Sequence, residues 1–294
     1  MSQASAFKDY ATLPEDMSTY RIDARAAYTF EPRYGVALSI PWSRHTMGMI
    51  RKIEPATPAA PVVDESCCGP YPVVTEPAAN TPPRPTYQRH TMDPVEGFGD
   101  LRIEGTIRLL EAGTPESGRH RLFFRPGIKT PTGDYKVKAY GVLVEPCMQL
   151  GTGSWDPTAQ LEYRLEKNAF GLSLLGGYQL TTRNPLGYEY GDLATIGAFP
   201  SYQPFRMLRI TTGLRYRHAE TSKDHKGRYT VTSSLSQDPA NTGGEWADAI
   251  VSLDLLPTDR LTLNIGVSIP VWSDLNGIQQ RPSELYTAGA SVRF

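Results

Sequence analysis

From Arg260 to Trp272 the chain reads RLTLNIGVSIPVW. Leu261, Leu263, Ile265, Val267, Ile269 and Val271 are apolar, and Thr262, Asn264, Gly266, Ser268 and Pro270 between them are small or polar. Successive side chains of a strand point to opposite faces, so a period of two describes a strand with one oily and one polar face. The same alternation recurs along almost the whole chain. It predicts eleven strands, near 18–30, 34–46, 97–110, 120–130, 154–165, 169–182, 190–203, 206–218, 245–256, 260–272 and 283–294. The connections at 31–35, 113–119, 166–168, 203–206 and 257–260 are short, whereas those at 47–96, 131–153, 183–189, 219–244 and 273–282 are long. Short and long connections therefore fall on opposite rims, as the brief periplasmic turns and larger external loops of outer-membrane barrels do.

The expected fold is all-β, a transmembrane antiparallel up-and-down β-barrel. A sheet edge left open in hydrocarbon would carry unsatisfied backbone groups, so a spanning sheet has to close. Bacterial barrels have an even strand number, which raises the expected count to about twelve. The missing strand is then sought in residues 1–16 or upstream of Met1. Residues 1–16 read as an N-terminal segment (a partial strand or periplasmic tail), 17–294 as the barrel, and 47–96 as a long Pro-rich extracellular loop. A soluble sandwich or barrel with its apolar face inward gives the same period. Two features favour lipid. Aromatic residues sit toward strand ends (Tyr20, Tyr28, Phe30, Trp42, Trp155, Tyr163, Tyr178, Tyr216, Trp272, Tyr286), and the chain finishes on the alternating strand YTAGASVRF.

Composition adds little to this picture. Mean hydropathy is −0.38 and formal charge −1, so whole-molecule attraction to nucleic acid is not indicated. No window approaches the roughly 18 to 20 apolar residues of a membrane helix. The start, MSQASAFKDYATLPEDM, lacks the charged and apolar regions of a signal peptide, so export implies a leader removed or lying upstream.

Charge becomes informative when it is sorted by face. The polar face carries Arg21, Arg25, Arg102, Arg108, Arg121, Arg125, Lys129, Arg164, Arg183, Arg209, Arg215, Arg217 and Arg293 against Asp23, Glu104, Asp156, Glu162, Asp248 and Asp254. Such a lining favours anions in a water-filled pore. Equally, long arginines paired with carboxylates can fill a narrow barrel as a structural network. The ladder Arg121, Arg125 and Lys129 is the first place to distinguish the two.

Other chemistry is sparse. The five histidines, His45, His90, His120, His218 and His225, lie at strand ends or in loops. With no nucleophile motif, P-loop, dinucleotide fingerprint or HExxH, an enzyme is not expected. Cys67 and Cys68 lie in the Pro-rich loop and Cys147 in the next loop of the same rim, so Cys147 is a disulfide candidate for either. The tetrapeptide RHTM occurs at 44–47 and again at 89–92. His45, Met47, His90 and Met92 are the candidate soft donors for copper(I), with a chance repeat of rim residues as the alternative. No other cofactor is indicated. Expected partners are outer-membrane lipid, small solutes and, through 47–96, a docked protein.

The stretches GFGDLRIEG (97–105), PGIKTPTGDY (126–135), QLGTGSWDP (149–157) and PTDRLTLNIGVSIPVWSDLNGIQQRPS (257–283), with the closing ASVRF, resemble the outer-membrane barrel family labelled as transporters or as proteins of the MetA pathway of phenol degradation. The TDRL…P…DLNG stretch is the most specific part. The resemblance runs from about Tyr20 to Phe294. It implies a Gram-negative outer-membrane location and a porin-like uptake role, assumed for hydrophobic or aromatic compounds.

Overall fold

A computed structural model describes residues 12–53, 86–139, 141–229 and 234–293. In chain order its strands are β1 (Thr12–Glu31), β2 (Tyr34–Ile53), β3 (Thr86–Thr91), β4 (Val95–Phe98), β5 (Arg102–Ala112), β6 (Arg119–Lys129), β7 (Lys138–Ala139), β8 (Val142–Leu143), β9 (Asp156–Lys167), β10 (Phe170–Gln179), β11 (Tyr188–Glu189), β12 (Leu193–Phe205), β13 (Leu208–Ala219), β14 (Lys223–Asp224), β15 (Gly244–Leu255), β16 (Leu261–Leu275) and β17 (Leu285–Val292). The described residues contain no α-helix.

One large antiparallel sheet holds the order β1-β2-β5-β6-β9-β10-β12-β13-β15-β16-β17, with β3 and β4 laid on β2. Each of the eleven predicted segments finds its strand in this meander, and every short connection lies on one rim. Prolines inside the strands sit where pairing is interrupted, because they cannot donate to the ladder. The β12–β13 pairing skips from Ala198↔Leu214 to Ser201↔Thr211 beside Pro200, and that of β5–β6 from Glu104↔Gly127 to Ile107↔Phe124 beside Pro126, with the register unchanged.

Two boundaries differ from expectation. The supposed loop 47–96 begins and ends as ribbon, for β2 runs on to Ile53 and pairs with β3 (Gly48↔Thr91 to Ile53↔Thr86) and β4 (His45↔Val95). Met47, Met49 and Ile50 are buried there, so packing holds the strand straight well past the rim. Residues 12–16, expected in the N-terminal segment, open β1 opposite Gly48–Arg51. The twelfth strand is therefore not in 12–16, and 1–11 lie outside the described residues. At 20 residues each, β1 and β2 are about twice the 9 to 11 residues that cross a bilayer.

Among the described residues β1 and β17 do not pair with each other. Eleven alternating strands leave the first and last running the same way, so an all-antiparallel closure needs an odd number of further strands. At the long-loop rim the start of the sheet nevertheless reaches loops from its far side. Leu13 and Ile50 pack with Leu235 from the β13–β15 loop and with Ile278 from the β16–β17 loop, and Thr12 bridges Ser234.

Burial is inverted relative to a water-soluble fold. On the convex side Leu214 is 61% exposed, Ile196 59% and Ile265 56%, while facing inward Asp156 is 0% exposed, Asp248 2%, Lys129 5% and Glu162 6%. The buried apolar clusters lie at the long-loop end, outside the main run of the wall. A soluble barrel is excluded by this arrangement, since its apolar face would be the inner one. Aromatics ring both ends of the convex face. Tyr28, Phe30 and Tyr34 stack at 6.4 and 6.3 Å and Phe170 and Tyr202 at 4.8 Å near the short turns, with Tyr216 and Trp272 at 6.4 Å toward the other rim. Phe170 and Tyr178 on one strand are about 26 Å apart at roughly 3.3 Å per residue, the height of an apolar band between two interfacial girdles.

Leu214→Arg is expected to cost about 2–4 kcal/mol of folding stability in lipid vesicles, whereas Ser252→Arg on the inner face costs less than about 1 kcal/mol, as read by urea titration.

Candidate functional site: the polar concave face

The strand register fixes which side chains face inward. Arg102, Glu104 and Arg108 on β5 share their face with Arg121, Phe123, Arg125 and Lys129 on β6, and with Asp156, Gln160, Glu162, Arg164 and Glu166 on β9. Farther round, Arg209, Arg215 and Arg217 on β13 face Asp254, Asp248 and Trp246 on β15.

Most of these charges are matched. Glu104 accepts from Arg25 at 2.8 Å and lies 3.9 Å from Arg125. Glu162 holds Arg125 and Arg164 and accepts a bond from Ser173 at 2.7 Å; Arg121 pairs with Glu166. The guanidinium carbons of Arg121, Arg125 and Arg164 lie 5.9, 5.6 and 5.2 Å from the centre of the Phe123 ring, which thereby ties three cations to one aromatic face. Lys129, nearly inaccessible, pairs with Asp156 and lies 3.8 Å from Asp100. Asp248 accepts from Arg215 at 3.1 Å and Arg217 at 2.7 Å, and Arg217 stacks over Trp246 at 4.8 Å. Asp254 instead accepts from Asn264 at 2.6 Å. Arg102 and Arg209 form no ion pair among the described residues.

One position adds to the sequence reading and one corrects it. A bulge between Arg108 and Leu110 shifts the parity of β5, so Glu111 faces inward and pairs with Arg108. Arg183 is not on the inner wall but in the β10–β11 loop, 3.8 Å from Glu189. Phe123 and Glu166 were reachable from parity alone, since they continue the inward rows of Arg121 and Glu162. Cations still outnumber carboxylates on the concave face.

The long-loop rim is packed into a cap. Met47, Met49, Val95, Val144 and Met148 form a buried cluster, flanked by Met17 and Met92 among others. Asp100 accepts from the backbone N–H groups of Gly133 at 2.9 Å and Thr152 at 2.8 Å, joining three segments. Glycine is required at that junction, because a Cβ on Gly133 would stand 2.8 Å from Gly99 and 2.9 Å from Gly151. Tyr188 meets Tyr190 and Tyr229 edge-on at 4.9 and 5.3 Å, and burial pushes the Tyr188 hydroxyl up to about 12. Tyr190 donates to the Pro146 carbonyl at 3.0 Å. Beneath the cap a cavity of about 260 Å3 is bordered by Arg21, Arg102, Lys129 and Cys147.

Among the described residues no group of three or more His, Cys, Asp or Glu could hold a metal ion. The RHTM copies do abut, with Met92 N–H donating to Met47 O at 2.9 Å. Met47 and Met92 belong to the apolar cluster, His45 bonds Thr19 at 3.0 Å, and His90 is exposed. Cys147 is a free, exposed thiol and the described residues contain no disulfide; Cys67 and Cys68 lie outside them.

The family profile described as "Putative MetA-pathway of phenol degradation" matches residues 77–273, more than half of the chain. The chain belongs to this family. Solved structures are also similar to this chain. An outer membrane channel from Pseudomonas putida F1 superposes with a TM-score of 0.56 at 11% identity, covering 94% of this chain and 83% of that one. A Pseudomonas aeruginosa FadL homologue gives a TM-score of 0.42 at 10% identity, covering 94% and 65%. Comparison with curated proteins gives no significant match.

Asp248→Asn leaves two guanidiniums facing one neutral amide and is expected to destabilise the barrel by about 3 kcal/mol in vesicle unfolding titrations. In the outer loops, burial works against the Glu189 carboxylate, but hydrogen bonds from Lys223 and His225 outweigh it and hold the carboxyl below its ordinary range. A depressed carboxyl stabilises above its unfolded pKa and loses that contribution as pH falls through the folded value. Acidification below about pH 4 should therefore raise hydrogen exchange in loops 183–189 and 223–229 beyond the intrinsic change, and Glu189→Gln should reproduce the effect at neutral pH.

Proposed function

We propose that this member of the family is a passive outer-membrane channel for small solutes, with a lumen that favours anions. The observation that carries the reading is the pairing of an apolar, aromatic-girdled convex wall with a concave face on which cations exceed carboxylates. The first suits hydrocarbon; the second suits water and a fixed positive field. The similar solved structure from Pseudomonas putida is itself an outer membrane channel, which supports the same reading. Most inner charges are neutralised in place, so the selective field comes from the cations left over, Arg102 toward the capped rim and Arg209 toward the short turns. The cap sets access from outside, and lipid is the constant partner of the convex wall.

A second reading draws on the packed cap and the Phe123 cluster: a plugged barrel that holds a protein partner. The β2–β3 ribbon supplies its docking arm, with Tyr87 and Arg89 exposed.

Planar-bilayer recordings separate the two. Steady conductance with reversal potentials favouring chloride over potassium is the expected result, and a silent protein that brings a partner through purification would sink the channel. Arg102→Gln with Arg209→Gln should bring the permeability ratio near unity. Neutralising Arg121, Arg125 and Lys129 together should go further and favour potassium, because it removes three cations and leaves Glu166 and Asp156 without their partners.

A further inference from the structure

Near the short-turn rim the concave face opens into a cavity of about 380 Å3 beside the turn residue Asn168, bounded by Arg164, Arg209, Phe199 and the carboxylates of Glu162, Glu166 and Asp254. Its walls differ from the rest of the inner surface in two ways that the charge ladder does not explain.

The first concerns Phe199. A Cβ added to Gly197 would come within 2.6 Å of this ring, and one added to Gly213 would also come within 2.6 Å. Only glycine lets a phenyl ring settle so close to the sheet, and it does so where the β12–β13 ladder is interrupted beside Pro200. One side of the ring is thus occupied by backbone while the residue lines the cavity, forming a flat aromatic plate on its wall. Covering two glycines needs any apolar side chain; a planar one presented to a water-filled space is suited to stacking.

The second concerns Arg209. It lies directly across the strand pair from Asp254, yet forms no ion pair among the described residues; Asp254 accepts from Asn264 at 2.6 Å. Across the cavity Arg164 is bound to Glu162, so it is not the free cation of the site. Ser173, whose hydroxyl donates to Glu162 at 2.7 Å, Ser201 and Thr211 also line the cavity. A guanidinium with its donor fork available binds a planar carboxylate through two parallel hydrogen bonds.

We propose that this cavity is a binding station for a monocyclic aromatic carboxylate, with the ring on Phe199 and the carboxylate on Arg209. The proposal deepens the channel reading and rests on it for the solute's route to the station. A small aliphatic anion finds the guanidinium but not the plate. A neutral aromatic finds the plate and leaves the guanidinium to water.

The test uses the full chain folded in detergent micelles, with benzoate as probe and cyclohexanecarboxylate and benzyl alcohol as controls, followed by saturation-transfer NMR and equilibrium binding. Benzoate should bind at least about tenfold more tightly than either control. Arg209→Gln should weaken benzoate about tenfold while leaving benzyl alcohol unchanged, and Phe199→Leu should abolish the preference over cyclohexanecarboxylate. Folding of each variant is checked by heat-modifiable gel migration. If Phe199→Leu fails to fold, the ranking of the three probes on the unaltered protein and on Arg209→Gln still decides. Equal binding of all three, or benzoate binding indifferent to Arg209→Gln, would overturn the station. Bilayer recordings on the same preparation keep the two ideas apart: conductance without benzoate preference removes the station alone, and benzoate preference without conductance removes the channel alone.

Discussion

The structure depends on satisfying backbone hydrogen bonds where no water is available to do it. In hydrocarbon each unpaired N–H or C=O costs several kcal/mol, so a chain without long apolar helices has to cross as hydrogen-bonded sheet. The period of two then separates two media, and each strand is sorted accordingly. Leu214, Ile196 and Ile265 point where a soluble protein would place lysine, and Asp156 and Asp248 sit where it would place leucine.

Inverting the fold turns the interior into an electrostatic problem. Lys129 and Asp156 are almost inaccessible and each is tolerable only because the other is beside it, together with Asp100. Glu162 is shared by two arginines from neighbouring strands, and the three cations around Phe123 use an aromatic quadrupole in addition to carboxylates. Matched pairs brace the inner wall from strand to strand, whereas Arg102 and Arg209 form no ion pair among the described residues.

Outside the wall the usual physics returns. The cap is stabilised by apolar burial of methionine, valine and leucine, by tyrosines in edge-on contact, and by Asp100 gathering the N–H groups of separate loops. It also joins the first two strands to loops from the far side of the sheet, through Leu13, Ile50, Leu235 and Ile278. Methionine suits such a junction because its unbranched side chain fills irregular space between loops. The same packing accounts for Met47 and Met92, whose sulfurs had looked like copper donors in the sequence.

How much of this was legible beforehand follows from the range of each interaction. Alternation is local, so RLTLNIGVSIPVW and its ten counterparts declared their strands, their two faces, the sorting of loops by rim and the inward placement of residues such as Arg125 and Asp248. Local parity fails wherever one extra residue enters a strand, which is why Glu111 had to be seen in the bulge to be placed. It says nothing of partners many residues apart. That Glu162 binds Arg125, that Asp254 accepts from Asn264 while Arg209 forms no ion pair among the described residues, that Phe199 lies on Gly197 and Gly213, and that β2 runs to Ile53 because Met47 and Met49 are buried, all depend on strand register and loop packing. The sequence by itself determined a two-faced sheet between oil and water; only the tertiary structure decided which charges cancel, because cancellation requires distances that no single strand contains.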